Sequence, residues 1–153
     1  MTDDEEICSI SLRDAAAVAM DIRSMPPDGI VALGPIHPAA LAHWPNRTTN
    51  ETVLTAERYS HIVESHPDRT SIPRFEERIV ETVRMPELAY RDQQSPNVVN
   101  LLIAIDVKYD LFVSIVLSSD NERANSVLSA RKQPARLRHR DRLKGLVVWR
   151  NEE

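Results

Sequence analysis

Apolar residues recur along this chain first at helical and then at strand-like spacing, so the sequence divides into a helix-rich first half and a sheet-forming second half. Near the start, Ser11 followed by Asp14 is a helix-initiation signature, and Ala15, Val18, Ile22 and Met25 then repeat every three to four residues. Pro26-Pro27 stops that helix, Asp28-Gly29 turns the chain, and Ile30 to Leu33 reads as a short strand ended by Gly34-Pro35. From Ile36 to Thr52 the prolines and polar residues predict a surface loop. A second helix is expected from Thr55, whose hydroxyl can cap it, to about Ser65, with Tyr59, Ile62 and Val63 as its buried stripe and Pro67 forcing its end. A third starts around Ser71 to Pro73, buries a face of Ile72, Phe75 or Glu76, Ile79, Val80 and Val83, and stops at Pro86.

Beyond Pro86 the period changes to that of strands. Glu87 to Arg91 opens this part, Val98 to Asp106 and Leu111 to Ser118 pair as a hairpin through Val107 to Asp110, and Ser118 to Asn121 turns into a strand from Arg123 to Ala130. Pro134 to Lys144 reads as a basic helix and Gly145 to Arg150 as a last strand. Helices followed by closely linked strands predict an α+β domain, with helices on one face of an antiparallel sheet. It spans residues 9–150, after a flexible acidic N-terminus at residues 1–8.

Composition removes several chemistries. The chain has 3 glycines against 10 prolines, too few for a glycine-rich phosphate loop or a dinucleotide fingerprint. A single cysteine, Cys8, allows neither an internal disulfide nor a zinc site of several thiolates. The apolar run Val98 to Ile105 is interrupted by Asn100 and is far too short for a membrane span, so a cytoplasmic protein with no membrane partner is expected. No cofactor or metal is expected either. The net charge of −4 conceals an asymmetry: residues 1–130 hold 11 Lys/Arg against 20 Asp/Glu, whereas residues 131–150 hold eight cations against Asp141 alone. Such a segment is either a solvated basic face that pairs with the acidic remainder or a docking site for a polyanion.

The most pointed local feature is His61-Ile62-Val63-Glu64-Ser65-His66. Zinc helices place two histidines one turn apart, at i and i+4; here they stand at i and i+5, about 140° apart around an ideal helix, which excludes that motif. Imidazoles exchange protons near neutral pH and suit acid–base work once the helix unwinds before Pro67. A helix-terminal histidine bonded to backbone is the competing account of His66. His37, His43 and Trp44, bracketed by prolines, are read either as a stacking clamp for a base or as a surface loop tied down by one buried tryptophan.

Leu54-Thr55-Ala56-Glu57 leading to His61-Ile62, His66-Pro67, Met85-Pro86-Glu87, the strand residues Ser126-Val127-Leu128-Ser129-Ala130 and a late Leu146-x-x-Trp149 together resemble the phage-associated branch of the Barnase/EndoU/colicin/RelE-like nucleases. The similarity runs from Thr55 to Trp149. It implies helices packed on a four-stranded antiparallel sheet, and a toxin or phage effector that cleaves RNA without metal by acid–base transesterification. His61 and His66 match the family's helix histidines, and Ser129 its strand hydroxyl. These three are the expected catalytic residues. Leu101, Leu102 and Ile103 stand where related nucleases place a basic or aromatic residue over the substrate. Charge on phosphate would therefore be met from the basic segment, by Arg131, Lys132, Arg136, Arg138 and Arg140. The alternative function is a non-catalytic interaction protein of phage or mobile-element origin that binds RNA, a cognate inhibitor or another acidic protein through the same segment.

Overall fold

The computed structural model describes Ile22 and residues 29–44, 51–118, 123–139 and 146–151. Their elements, in chain order, are β1 (Ile30–Gly34), β2 (Thr52–Thr55), α1 (Ala56–Ser65), α2 (Phe75–Arg84), β3 (Leu88–Arg91), β4 (Val98–Ala104), β5 (Tyr109–Val116), β6 (Asn125–Pro134) and β7 (Val147–Arg150). Short 3-10 turns cover Pro38–Leu41, Pro67–Ser71 and Ala135–His139. The strands form one seven-stranded sheet in the order β1-β2-β6-β5-β4-β3-β7. All neighbours pair antiparallel except β2 and β6, which run parallel.

This corrects the expected architecture. Among the described residues there are two α-helices on a seven-stranded mixed sheet, not N-terminal helices on the four-stranded antiparallel sheet of the nuclease resemblance. The physical reason lies in three short strands at the sheet's ends. Thr52–Thr55 looks polar, yet its Val53 and Leu54 are fully buried and its backbone joins β1 to β6. β1 thereby gains a sheet partner, and β7 adds to β3 at the other edge. Of the basic helix expected over Pro134 to Lys144, the described part is the end of β6 at Pro134 and a 3-10 turn over Ala135–His139; the rest lies outside the described residues. The helix expected over Ser11 to Met25, the flexible residues 1–8 and the turn at 119–121 lie outside the described residues, apart from Ile22, which is buried in the core.

Local chemistry sets the helix ends as expected. Thr55 Oγ1 accepts from Arg58 N at 3.2 Å to cap α1, and His66, in a non-helical conformation before Pro67, closes it by donating its N–H to Ile62 O at 3.0 Å. α2 begins at Phe75, later than Ser71 to Pro73, after Arg74 turns left-handed at φ 56°. Met85 N closes its other end on Glu81 O at 2.7 Å. Ile62 of α1 and Ile79 and Val83 of α2 sit in one core cluster with Leu54, Val99, Leu101, Val113, Ile115, Val127 and Ala130. Both helices thus cover the same face of the sheet. Tyr59 Oη donates to Glu76 Oε1 at 2.7 Å, linking the helices, and Arg84 Nε donates to Leu33 O at 2.8 Å, fixing α2 to β1. Gly34 makes the second link possible: at φ 95° a Cβ there would lie 2.7 Å from Arg84 Nε.

Candidate functional site

The opposite face of the sheet is built from the alternate residues of the same strands. Register places Tyr90, Asn100, Ser114 and Ser129 side by side across β3, β4, β5 and β6. In the next row stand Leu88, Leu102, Phe112 and Arg131, and beyond them Asp110 lies opposite Gln133. A bulge in β6 sets two residues, Leu128 and Ser129, on this face between Val127 and Ala130, which both face the helices. These strands floor a cleft of about 390 Å³, walled by residues 91–94 and by Leu146.

Polar groups in the cleft fall into two kinds. Some are locked to one another: Ser114 Oγ donates to Asn100 Oδ1 at 2.7 Å, and Asn100 Nδ2 donates to Asp92 Oδ1 at 3.3 Å. Asp92 Oδ2 also accepts from Gln94 N and Ser95 N, each at 3.0 Å, so the carboxylate is committed to holding its own loop. Beside the cleft, the fully buried Asp110 carboxylate is gripped at both oxygens by Arg138 Nε and Nη2. That hydrogen bond is the main reason the guanidinium holds its proton more tightly than usual.

Others have no hydrogen-bond or ion-pair partner among the described residues. Tyr90 is fully buried and stacks on Phe112 at 6.1 Å between ring centroids, yet its hydroxyl makes no hydrogen bond. Gln133, also buried, has an unpartnered Nε2. Burial pushes the Tyr90 hydroxyl's pKa up and outweighs the opposing pull of Arg138, while Asp110 pushes the same way; the group stays a neutral donor. Arg131 is exposed and forms no ion pair among the described residues; its guanidinium lies 4.9 Å from the centre of the Phe112 ring.

The sequence-predicted residues divide between the two faces. Ser129 and Arg131 line the cleft together. His61 is exposed on α1, and half-buried His66 caps that helix, so both stand across the sheet from Ser129. Lys132, alternating with Arg131, points to the helix side: its Nζ donates to Ser71 Oγ at 2.8 Å and rests 3.7 Å from the Tyr109 ring centre. Arg136 is exposed in the 3-10 turn, Arg138 is engaged by Asp110, and Arg140 lies outside the described residues. His37 stacks on Trp149 at 4.9 Å, its Nδ1 accepting from Ala39 N. His43 meets Trp44 edge-on at 5.1 Å, and Trp44 Nε1 donates to Pro96 O at 2.9 Å, which ties this loop to the far side of the cleft wall.

Sequence reasoning missed Tyr90, Asn100, Asp110, Ser114 and Gln133. Their signal is a period of two: Asp110 and Ser114 on β5 and Ser129, Arg131 and Gln133 on β6 put hydrogen-bonding groups on one face of strands whose other face carries Leu111, Val113, Ile115, Val127 and Ala130. Among the described residues no helix is long and apolar enough to cross a membrane, and no three metal-ligating side chains converge. Comparison with protein-family models, curated proteins and solved structures finds no match.

Proposed function

We propose that this protein binds single-stranded RNA in the cytoplasm, without cleaving it, by holding a phosphate in the cleft between Ser129 and Arg131. The carrying observation is the cleft's imbalance of hydrogen-bonding groups: an unpaired guanidinium, a hydroxyl and two unpartnered buried groups face a carboxylate already committed to its own loop. Such a surface favours an anion that brings many acceptors and few donors, as phosphodiesters do. The Arg131 guanidinium, which rests over the Phe112 ring, can also stack on an unpaired base. The positive charge balance of residues 131–150 adds a longer-range attraction. Transesterification by His61 and His66 needs both imidazoles at the bound phosphate, and α1 carries them on the other side of the sheet.

Fluorescence anisotropy of a labelled single-stranded RNA in EDTA, with the same mixture run on a denaturing gel, tests this. Binding should weaken with added salt, Arg131→Ala should weaken it about tenfold, and the RNA should remain intact. Cleavage that leaves a cyclic phosphate and disappears in His61→Ala and His66→Ala would replace this reading with the nuclease one. Absence of binding would end it.

A further inference from the structure

Buried polar groups without hydrogen-bond partners on two residues of one cleft, Tyr90 and Gln133, demand a physical account, because each has lost its water without gaining a bond in return. Tyr90 is isosteric with phenylalanine apart from the hydroxyl, and apolar neighbours such as Leu102 and Phe112 would suit either ring. Gln133 likewise occupies a sheet position that an aliphatic residue could fill. Both residues line the same cleft as Arg131 and Ser129. The cleft is also small. About 390 Å³ lies near the lower end of the roughly 300–1,000 Å³ that small-molecule sites occupy.

Resting on the RNA reading above, we infer that the cleft takes the end of a strand, and that Tyr90 and Gln133 are specificity-determining residues that donate to the oxygens of a terminal phosphate monoester. A monoester offers three non-bridging oxygens and close to two negative charges, where a diester inside the chain offers two oxygens and one charge. The extra oxygens match the extra donors. Asp110, which stands opposite Gln133, does not oppose the added charge, because Arg138 neutralises it from both carboxylate oxygens. Tyr90, Phe112 and Gln133 are buried and the Arg131 guanidinium rests over Phe112, so on this inference Arg131 leaves that ring for the phosphate as the two donors engage it.

The experiment compares one ten-nucleotide RNA made with a 5′-phosphate, a 3′-phosphate or hydroxyls at both ends, against the full chain and its Tyr90→Phe and Gln133→Leu variants. The wild-type protein should favour one phosphorylated form over the hydroxyl-ended one by about tenfold, and the ratio should fall towards one in both variants. Equal affinity for all three RNAs, or a preference that survives both substitutions, would overturn the inference. Adenosine 5′-monophosphate serves as a second probe: if it binds and the RNAs do not, the RNA reading fails and the phosphate site stands. If neither binds, both fail.

Discussion

The two faces of the central sheet share their strands and follow different rules. On the helix face, Leu101, Val113, Ile79 and Val83 are fully buried hydrocarbon, and each contributes roughly 1.5–3 kcal/mol without needing any particular partner. One residue out of phase on the same strands, Tyr90, Asn100, Asp110, Ser114 and Gln133 are all wholly or largely buried and all polar or hydroxyl-bearing. Hydrogen bonding is directional, so these must be satisfied one by one. Asn100, Ser114 and Asp110 are; the Tyr90 hydroxyl and the Gln133 amide nitrogen are not. Stability is concentrated on one side, and the capacity to recognise something is left on the other.

Deleting side chains on each face separates the two rules. Ile79→Ala removes a fully buried aliphatic group from between α2 and the sheet and should lower the unfolding free energy by about 2–5 kcal/mol in a urea titration, with RNA affinity unchanged for the folded fraction. Arg138→Ala should cost about 3 kcal/mol although it removes a partly exposed side chain, because it takes a two-point, charge-assisted partner away from the Asp110 carboxylate in a site with no solvent access. Adding Asp110→Asn should recover much of that loss. A loss below about 1 kcal/mol for Arg138→Ala would show that the cleft face does not depend on its polar pairs, and the contrast between the faces would weaken accordingly.

How far the sequence disclosed this division depends on the range of the interaction concerned. α1 was legible from Thr55 to His66 because a hydroxyl cap, an apolar stripe and a following proline act within one or two turns. The β4–β5 hairpin was legible for the same reason. β2 was not, since four residues opening on a threonine become a strand only when β1 and β6, from distant parts of the chain, close on both sides. Ser129 and Arg131 were picked out by the family resemblance and by charge, and register places them together. The histidine pair was conspicuous by local spacing, but spacing carries no information about which side of the sheet a helix covers. Tyr90 reads as one more apolar strand residue, and only the fold reveals that its hydroxyl ends without a partner.

The smallest predicted effect has the most to say about why that hydroxyl is there. Without ligand, Tyr90→Phe exchanges an unpartnered buried hydroxyl for hydrogen at constant ring packing, and should stabilise the protein by up to about 1 kcal/mol. The pH dependence follows from the raised pKa, which burial causes first and Asp110 reinforces, against Arg138 and Arg150. The folded protein holds the phenolic proton more tightly than the unfolded chain, whose tyrosines lose theirs near about pH 10. The wild type therefore keeps this contribution below about pH 10 and loses it as pH rises from there through the folded value, whereas the phenylalanine variant has nothing to titrate at this position. In urea titrations at about pH 8 and about pH 10.5, the advantage of Tyr90→Phe should widen with pH. A variant less stable than wild type at the lower pH would mean that the hydroxyl already has a partner, and the cleft face would then be as self-satisfied as the helix face. A variant that is more stable and yet loses the preference for phosphorylated ends would be the signature of a group retained for recognition at the expense of stability.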